Sequence, residues 1–202
     1  MPHAEIAIAS APALTAVLFG LSGCLVDFGS RARTDSSTLG SHATPGALKI
    51  LRSLKDQGVP CAWLDELPPP VTTALSASLP EWLKAASPSS IRWPAPHACW
   101  QALMELNIER LEGCVLVSGE PRLLQSWLNA GLWTIGLASC GSLCGMAPEQ
   151  WQALSEQERE YKRGKATVAL YGLGVHSVID HLGELGSCLA DISLRQLKGE
   201  KP

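Results

Sequence analysis

Short apolar runs alternate along this chain with longer segments in which apolar residues recur every three or four positions. The short runs have the length and composition of buried strands, whereas a spacing of three and four places side chains on one face of a helix. Thr15 to Leu21 is the first apolar run. Gly46 to Gln57 is the first helical segment, with leucines at a spacing of three residues and Gly58 as its end.

The same pattern continues to the end of the chain. Later strands are expected at Val59 to Leu64, Cys114 to Val117, Leu132 to Ala138 and Val175 to Ile179. Helices are expected at Leu79 to Ala86, at His97 to Leu106, from Glu120-Pro121 onward, at Pro148 to Gly164, and in a last helix that buries Leu182, Leu185, Leu189 and Ile192. Strands that alternate with helices predict βαβ units and a parallel sheet.

The composition fits one folded domain and argues against several classes of partner. Of 202 residues, 46% are hydrophobic and 17% are charged, against about 25% charged in a typical globular chain, which excludes disorder over most of the length. The formal net charge of −3 leaves no whole-chain electrostatic footprint for nucleic acid. The uncharged run from Ile6 to Val26 contains Pro12 and follows no Lys or Arg, so we expect no membrane segment.

Common catalytic motifs are absent, and the cysteines give little chemistry. Seven cysteines, an odd number, lie mostly in apolar runs, which predicts reduced buried thiols in a cytoplasmic protein. Cys140 and Cys144 have no nearby third and fourth ligand for zinc. His176 and His181 are expected to finish the last strand and to cap the helix after it, and a catalytic pairing of either with Cys24 is the alternative.

Six stretches share the order and spacing of one known family. They are Phe19-Gly-Leu-Ser-Gly-Cys-Leu-Val-Asp-Phe-Gly-Ser30, Arg92-Trp-Pro-Ala-Pro96, Leu128-Asn-Ala-Gly-Leu-Trp-Thr-Ile-Gly-Leu137, Trp151-Gln-Ala-Leu-Ser155, Gly174-Val-His-Ser-Val-Ile-Asp180 and Gly199-Glu-Lys-Pro202. Together they resemble phosphonatase (phosphonoacetaldehyde hydrolase) of the haloacid dehalogenase superfamily. The resemblance implies a Rossmann-like, doubly wound, mostly parallel sheet of about six strands with helices on both faces.

The resemblance also implies a domain organisation. Residues 1–202 are expected to form a single domain of the haloacid dehalogenase type. Residues 1–12 would be an N-terminal extension, residues 31–45 a short connection in place of the family's helical cap, and residues 195–202 a solvated tail.

The chain departs from the family at the positions that carry the reaction. In members of the family, a carboxylate at the end of the first strand attacks phosphorus, and magnesium bridges it to a second carboxylate after the fourth strand. The nucleophile's position is Gly20 here, with Ser22 two residues on and Cys24 in place of the usual threonine. Gly119 stands at the position of the second carboxylate. The resemblance therefore implies that no catalytic residue remains and that magnesium is lost.

Two tryptophans stand at positions that would line the family's active site. Trp63 ends the second strand in place of hydroxyl residues that hold phosphate, and Trp93 stands at the position of a basic residue, with Arg92 beside it. They either fill the former cleft or offer an aromatic surface to a partner. The connection Arg31 to Pro45 contains no lysine, so the family's Schiff-base lysine has no position.

We therefore expect a non-catalytic scaffold or regulatory protein without a cofactor. It would bind another protein through Trp63, Trp93, Arg92 and Glu120. The sequence does not identify that partner. Self-association through an uncovered sheet edge is a further expectation. The alternative is a capless hydrolase for bulky phosphorylated substrates that recruits magnesium through Glu120, Asp27 or Asp65, and a small-molecule sensor is a third hypothesis.

Overall fold

The computed structural model describes residues 14–34 and 41–202. The expected N-terminal extension, residues 1–12, lies outside these ranges, as do residues 35–40 of the expected connection. The replacement of a cap by residues 31–45 therefore stays a prediction.

The described residues contain one sheet of six parallel strands. These are β1 (Ala16–Gly20), β2 (Cys61–Leu64), β3 (Lys84–Ala85), β4 (Cys114–Ser118), β5 (Trp133–Leu137) and β6 (Ser177–Ile179). Their order is β3-β2-β1-β4-β5-β6, so β1 lies between β2 and β4. All carboxyl ends meet at one edge, and the strand order reverses between β1 and β4, which is the point where ligands bind in open α/β sheets.

Helices cover both faces of this sheet. They are α1 (Ala47–Asp56), α2 (Pro69–Ser76), α3 (His97–Glu105), α4 (Pro121–Asn129), α5 (Pro148–Ala153), α6 (Glu156–Leu173) and α7 (Leu185–Leu197). Successive side chains of a strand point to opposite faces. Val17 and Phe19 of β1 accordingly pack in one core with Leu51 of α1 and Leu185 of α7, whereas Leu18 packs in the other core with residues of α3, α4 and α6. The predicted Rossmann-like, doubly wound parallel sheet is confirmed.

The helix predicted at Leu79 to Ala86 is wrong. Lys84–Ala85 instead forms the edge strand β3, paired in parallel with Ala62 and Trp63. The helix of this region is α2, which begins at Pro69. Pro69 and Pro70 stand at the start of this helix, because proline at the first helical position lacks only an N–H that would have no partner there.

The segment from Pro148 to Gly164 contains two helices rather than one. The chain leaves the helical conformation at Leu154, and Ser155 caps the start of α6. The Ser155 side chain accepts from the Glu158 N–H, and the Glu158 carboxylate accepts from the Ser155 N–H. This reciprocal pair of hydrogen bonds is a capping box. Helix α6 therefore begins after Ser155, although the periodic pattern of apolar residues begins earlier.

The uncharged run from Ile6 to Val26 enters the described ranges at residue 14. Its described part contains β1, which is fully buried at the centre of the sheet. No helix in residues 14–34 and 41–202 has the length and apolar character needed to cross a membrane.

Cys24, His176 and His181 have structural partners. All seven cysteines are free thiols, and the described residues hold no group of three His, Cys, Asp or Glu that could bind a metal. The Cys24 thiol donates to the Val117 carbonyl at 3.3 Å. His176 Nδ1 accepts from the Thr134 N–H at 3.0 Å, and His181 Nδ1 accepts from the Gly183 N–H at 3.2 Å. The expected capping role of His181 is confirmed.

The thiols provide a first test. Burial raises the pKa of the Cys61, Cys99 and Cys140 thiols to about 12, and only the thiolate is reactive. At a pH near 8, we expect only the half-buried Cys144 and Cys188 to react with Ellman's reagent in the native protein, and all seven to react after unfolding. Rapid reaction of a third thiol in the native protein would contradict this packing.

Candidate functional site

The loop after β1 is organised around a buried aspartate. Asp27 Oδ2 accepts from the Ser22 hydroxyl at 2.7 Å and from the Ala32 N–H at 3.0 Å, and Oδ1 accepts from the Arg31 N–H at 3.0 Å. Burial raises the pKa of this carboxyl, an effect that these hydrogen bonds oppose, the one from Ser22 most strongly. Asp27 therefore holds the turn from β1 into the Arg31–Arg33 helical turn.

Gly20, at the carboxyl end of β1, has little room for a side chain. A Cβ at this position would lie 2.6 Å from the Ser118 hydroxyl oxygen and 3.3 Å from the Ser118 Cβ. The Ser118 hydroxyl is held in place because it accepts from the Glu120 N–H at 3.0 Å. A side chain at position 20 must therefore displace this hydroxyl.

Gly119 has even less room for a side chain, because the atoms around it belong to the backbone. A Cβ there would lie 2.4 Å from the Gly141 Cα and 2.4 Å from the Gly23 carbonyl oxygen. The Ser142 N–H also donates to the Gly119 carbonyl at 3.1 Å. The turns after β1, β4 and β5 thus meet at Gly119 with no space for any side chain.

Arg33 is the cation at this edge of the sheet. Its Nη2 donates to Asp65 Oδ1 at 2.8 Å, and its Nε lies 3.4 Å from Glu120 Oε2. The Asp65 carboxylate is fully buried and accepts from the Ser22 N–H at 3.0 Å through its other oxygen. Asp65 follows β2 and Glu120 follows β4, and β1 lies between these strands. The Arg33 side chain therefore spans the end of β1, beyond Gly20.

The loop that carries Trp93 packs against the Arg33 guanidinium, whose centre lies 5.6 Å from the ring centroid. The Glu66 carboxylate accepts from the Trp93 N–H, and the Trp93 carbonyl accepts from Arg122. Arg122 also pairs with Glu66 at 3.3 Å. The ring is held in place and is only 3% exposed.

The structure does not bring the two tryptophans together. Trp63 is 9% exposed and belongs to the core that contains Phe19, whereas Trp93 belongs to the core on the opposite face. Of the two alternatives for these rings, their burial favours filling the fold over forming one aromatic surface. Arg92, next to Trp93, is exposed.

Comparisons with known proteins place this geometry in a family. No protein-family model matches the chain. Phosphonoacetaldehyde hydrolase of Aeromonas hydrophila is 30% identical over 165 residues, covering 78% of this chain and 59% of the relative. The enzyme of the same name from Psychromonas ingrahamii is 30% identical over 173 residues, covering 80% and 58%. The chain thus spans less than two thirds of the length of these curated relatives.

Solved structures agree in fold. One crystal structure is 63% identical in sequence and superposes with a TM-score of 0.91 over 93% of this chain and 98% of that chain. A phosphonoacetaldehyde hydrolase-like protein from Oleispira antarctica shares the fold at 22% identity, with a TM-score of 0.84 over 100% of both chains. The chain is a phosphonatase-like member of the haloacid dehalogenase superfamily.

The magnesium of this family does not fit the residues of the phosphonatase-like chain. Magnesium is held by hard, anionic oxygen ligands, and both positions that would supply them are glycines with restricted space. The carboxylates that remain nearby, Asp65 and Glu120, face the Arg33 guanidinium. Asp27 receives three hydrogen bonds from its own loop.

Sequence reasoning missed Arg33. It lies in a polar stretch that matches no motif, and it reaches Asp65 and Glu120 only through the tertiary fold. One signal in the sequence could have pointed to it. Asp65 and Glu120 follow β2 and β4, and buried carboxylates need a counter-charge, which a side-chain cation must supply where no metal site is present.

A cavity of about 1110 Å³ lies beside this site in the phosphonatase-like chain. It is lined by the loop after β1, by residues 42–45, by α5 and α6, and by the ends of β5 and β6. Asp27 lines it, but Gly20, Gly119, Trp63 and Trp93 do not. This cavity is thus separate from the positions at which the resemblance places the family's chemistry.

The two glycines can be tested by substitution. Gly119→Ala should destabilise the phosphonatase-like chain by about 1–3 kcal/mol, because its backbone neighbours cannot move aside cheaply. Gly20→Ala should lower the free energy of unfolding by less, since the Ser118 hydroxyl can rotate away at the loss of one hydrogen bond, without movement of the backbone. The free energy of unfolding in urea measures both.

Gly164→Ala is the matched control. This glycine is in the middle of α6 with no atom within 4 Å of a built Cβ, so alanine should stabilise the helix by up to about 1 kcal/mol. Wild-type stability of Gly119→Ala would contradict the close backbone approach.

Proposed function

We propose that this phosphonatase-like chain is non-catalytic and acts as a scaffold or regulatory partner of another protein. The observation that carries the proposal is the closure of position 119 by the backbone of Gly23 and Gly141. A carboxylate at this position would bind the metal in the family. The packing leaves no room to hold one without rebuilding three turns.

The chemistry of the remaining residues supports the same proposal. Phosphoryl transfer through an aspartyl intermediate needs a carboxylate nucleophile and a cation that neutralises the developing charge. Gly20 supplies no nucleophile, and the carboxylates of Asp65 and Glu120 are paired with Arg33. Lysine is absent from Arg31 to Pro45, where the resemblance would place the amine that forms a Schiff base.

A partner surface is supported by the residues that remain exposed at the carboxyl edge. Ile91 is 43% exposed and Arg92 is exposed beside it, on the loop that Glu66 and Arg122 hold in place. Arginine is among the residues that are enriched in protein–protein interfaces, and here it stands on a loop whose position is fixed. In this proposal Arg92 contacts the partner, and the buried Trp93 side chain anchors the loop to the core.

Turnover is the direct test. Incubated with magnesium and either phosphonoacetaldehyde or p-nitrophenyl phosphate, the chain should release no phosphate above the protein-free rate. Phosphonoacetaldehyde hydrolase of Aeromonas hydrophila is the positive control for the first substrate. Turnover that Glu120→Gln abolishes and the exposed control Glu112→Gln preserves would establish the hydrolase alternative and reject the proposal.

Partner binding needs a separate measurement. Arg92→Glu should reduce retention of a specific partner in affinity capture from native lysate, at unchanged thermal stability. The matched control is Arg110→Glu, an exposed arginine ahead of β4 and hence at the opposite edge of the sheet. Equal retention by wild type and both variants would exclude this loop as the contact, and retention of no specific protein would count against the scaffold role.

A further inference from the structure

The surroundings of Arg33 have the chemistry of a binding site for its side chain. Asp65 contributes a fully buried carboxylate, and the Glu120 side chain is 11% exposed. The Trp93 ring faces the guanidinium at 5.6 Å. Of the other carboxylates nearby, Glu66 is bound by Arg122, and Asp27 accepts hydrogen bonds from its own loop. Asp65 and Glu120 share one cation, Arg33.

This set of groups matches a guanidinium better than any other cation. A guanidinium is planar, offers several N–H donors along a fixed fork, and stacks on aromatic faces. Arg33 donates a hydrogen bond to Asp65 through Nη2, and its Nε lies 3.4 Å from Glu120 Oε2, an ion-pair distance without a hydrogen bond. A lysine ammonium is a compact point charge that lacks the planar fork and the flat face that stacks on an aromatic ring.

The carboxylates are also positioned independently of Arg33. The second oxygen of Asp65 accepts from the Ser22 N–H at 3.0 Å, and Oδ1 accepts from the Leu67 N–H at 3.0 Å. Glu120 Oε1 accepts from the Arg122 N–H at 3.2 Å at the start of α4. Backbone donors therefore fix both acceptors before the arginine is added, as expected of a preorganised site.

We propose that Asp65, Glu120 and the Trp93 ring form a guanidinium-binding site, which Arg33 fills from within the same chain. At this edge of the sheet, an organic cation takes the place that a metal ion has in the family. Removal of the Arg33 side chain leaves a site that accepts a small guanidinium compound from solution. The proposal concerns binding alone, so it stands or falls independently of whether the chain catalyses a reaction.

Chemical rescue tests this site. Arg33→Ala should lower Tm, because Asp65 loses its counter-charge. Methylguanidinium at millimolar concentration should then raise the Tm of Arg33→Ala saturably, by about 2–4 °C, and bind at one site in isothermal titration. The same compound should leave wild type unchanged. Methylammonium has the same charge but lacks the planar set of N–H donors, so it should not raise the Tm of Arg33→Ala.

Two further variants locate the effect. Arg31→Ala removes an arginine from the same helical turn that contacts Gln150 rather than the site, and methylguanidinium should not raise its Tm. Adding Glu120→Gln to Arg33→Ala should weaken methylguanidinium binding several-fold, because one charged acceptor is lost. If Arg33→Ala does not fold, Arg33→Lys replaces it: lysine keeps the charge, and a Tm equal to that of wild type would overturn the proposal.

Other outcomes also overturn it. Equal rescue of Arg33→Ala by methylammonium would mean that the site selects charge alone. Absence of any rescue in folded Arg33→Ala would mean that no binding site exists. A larger saturable stabilisation of Arg33→Ala by magnesium than by methylguanidinium would show that the carboxylates form a metal site that Arg33 merely covers.

Discussion

The ion pairs of Arg33 with Asp65 and Glu120 join three parts of the chain that are distant in sequence. They link the segment after β1 to the ends of β2 and β4, across the strand on which the family's nucleophile would stand. Two buried carboxylates at one sheet edge would be costly without a counter-charge. The pairing reinforces the Arg31–Arg33 turn, which Asp27 also holds, and it places the guanidinium against the Trp93 loop, which Glu66 and Arg122 hold in place.

Beneath the ion pairs, backbone packing sets a second constraint. Gly119 and Gly141 approach so closely that a Cβ on either would fall within 2.7 Å of the other's Cα. A carboxylate in this region would need space that the turns after β1, β4 and β5 occupy. The glycine at position 119 and the close packing of the turns are therefore one structural feature.

The fold is shared with solved structures of low sequence identity, such as the phosphonoacetaldehyde hydrolase-like protein from Oleispira antarctica. The carboxyl edge of the sheet in this chain carries Gly20, Gly119 and the ion pairs of Arg33. A fold specifies where a site can be, and the side chains at that edge decide what it does.

The sequence by itself determined the strands and most helices, because burial periodicity is a local property, and its resemblance to the family implied that Gly20 and Gly119 stand at the two carboxylate positions. It misplaced the helix near residue 80, where Leu83 is buried but Lys84 pairs as an edge strand, and it could not separate Trp63 from Trp93, which lie on opposite faces of the sheet. Only the tertiary structure brought Arg33 to Asp65 and Glu120 and showed the closure of Gly119. Both depend on segments far apart in the chain that meet only when parallel strands bring their carboxyl ends to one edge.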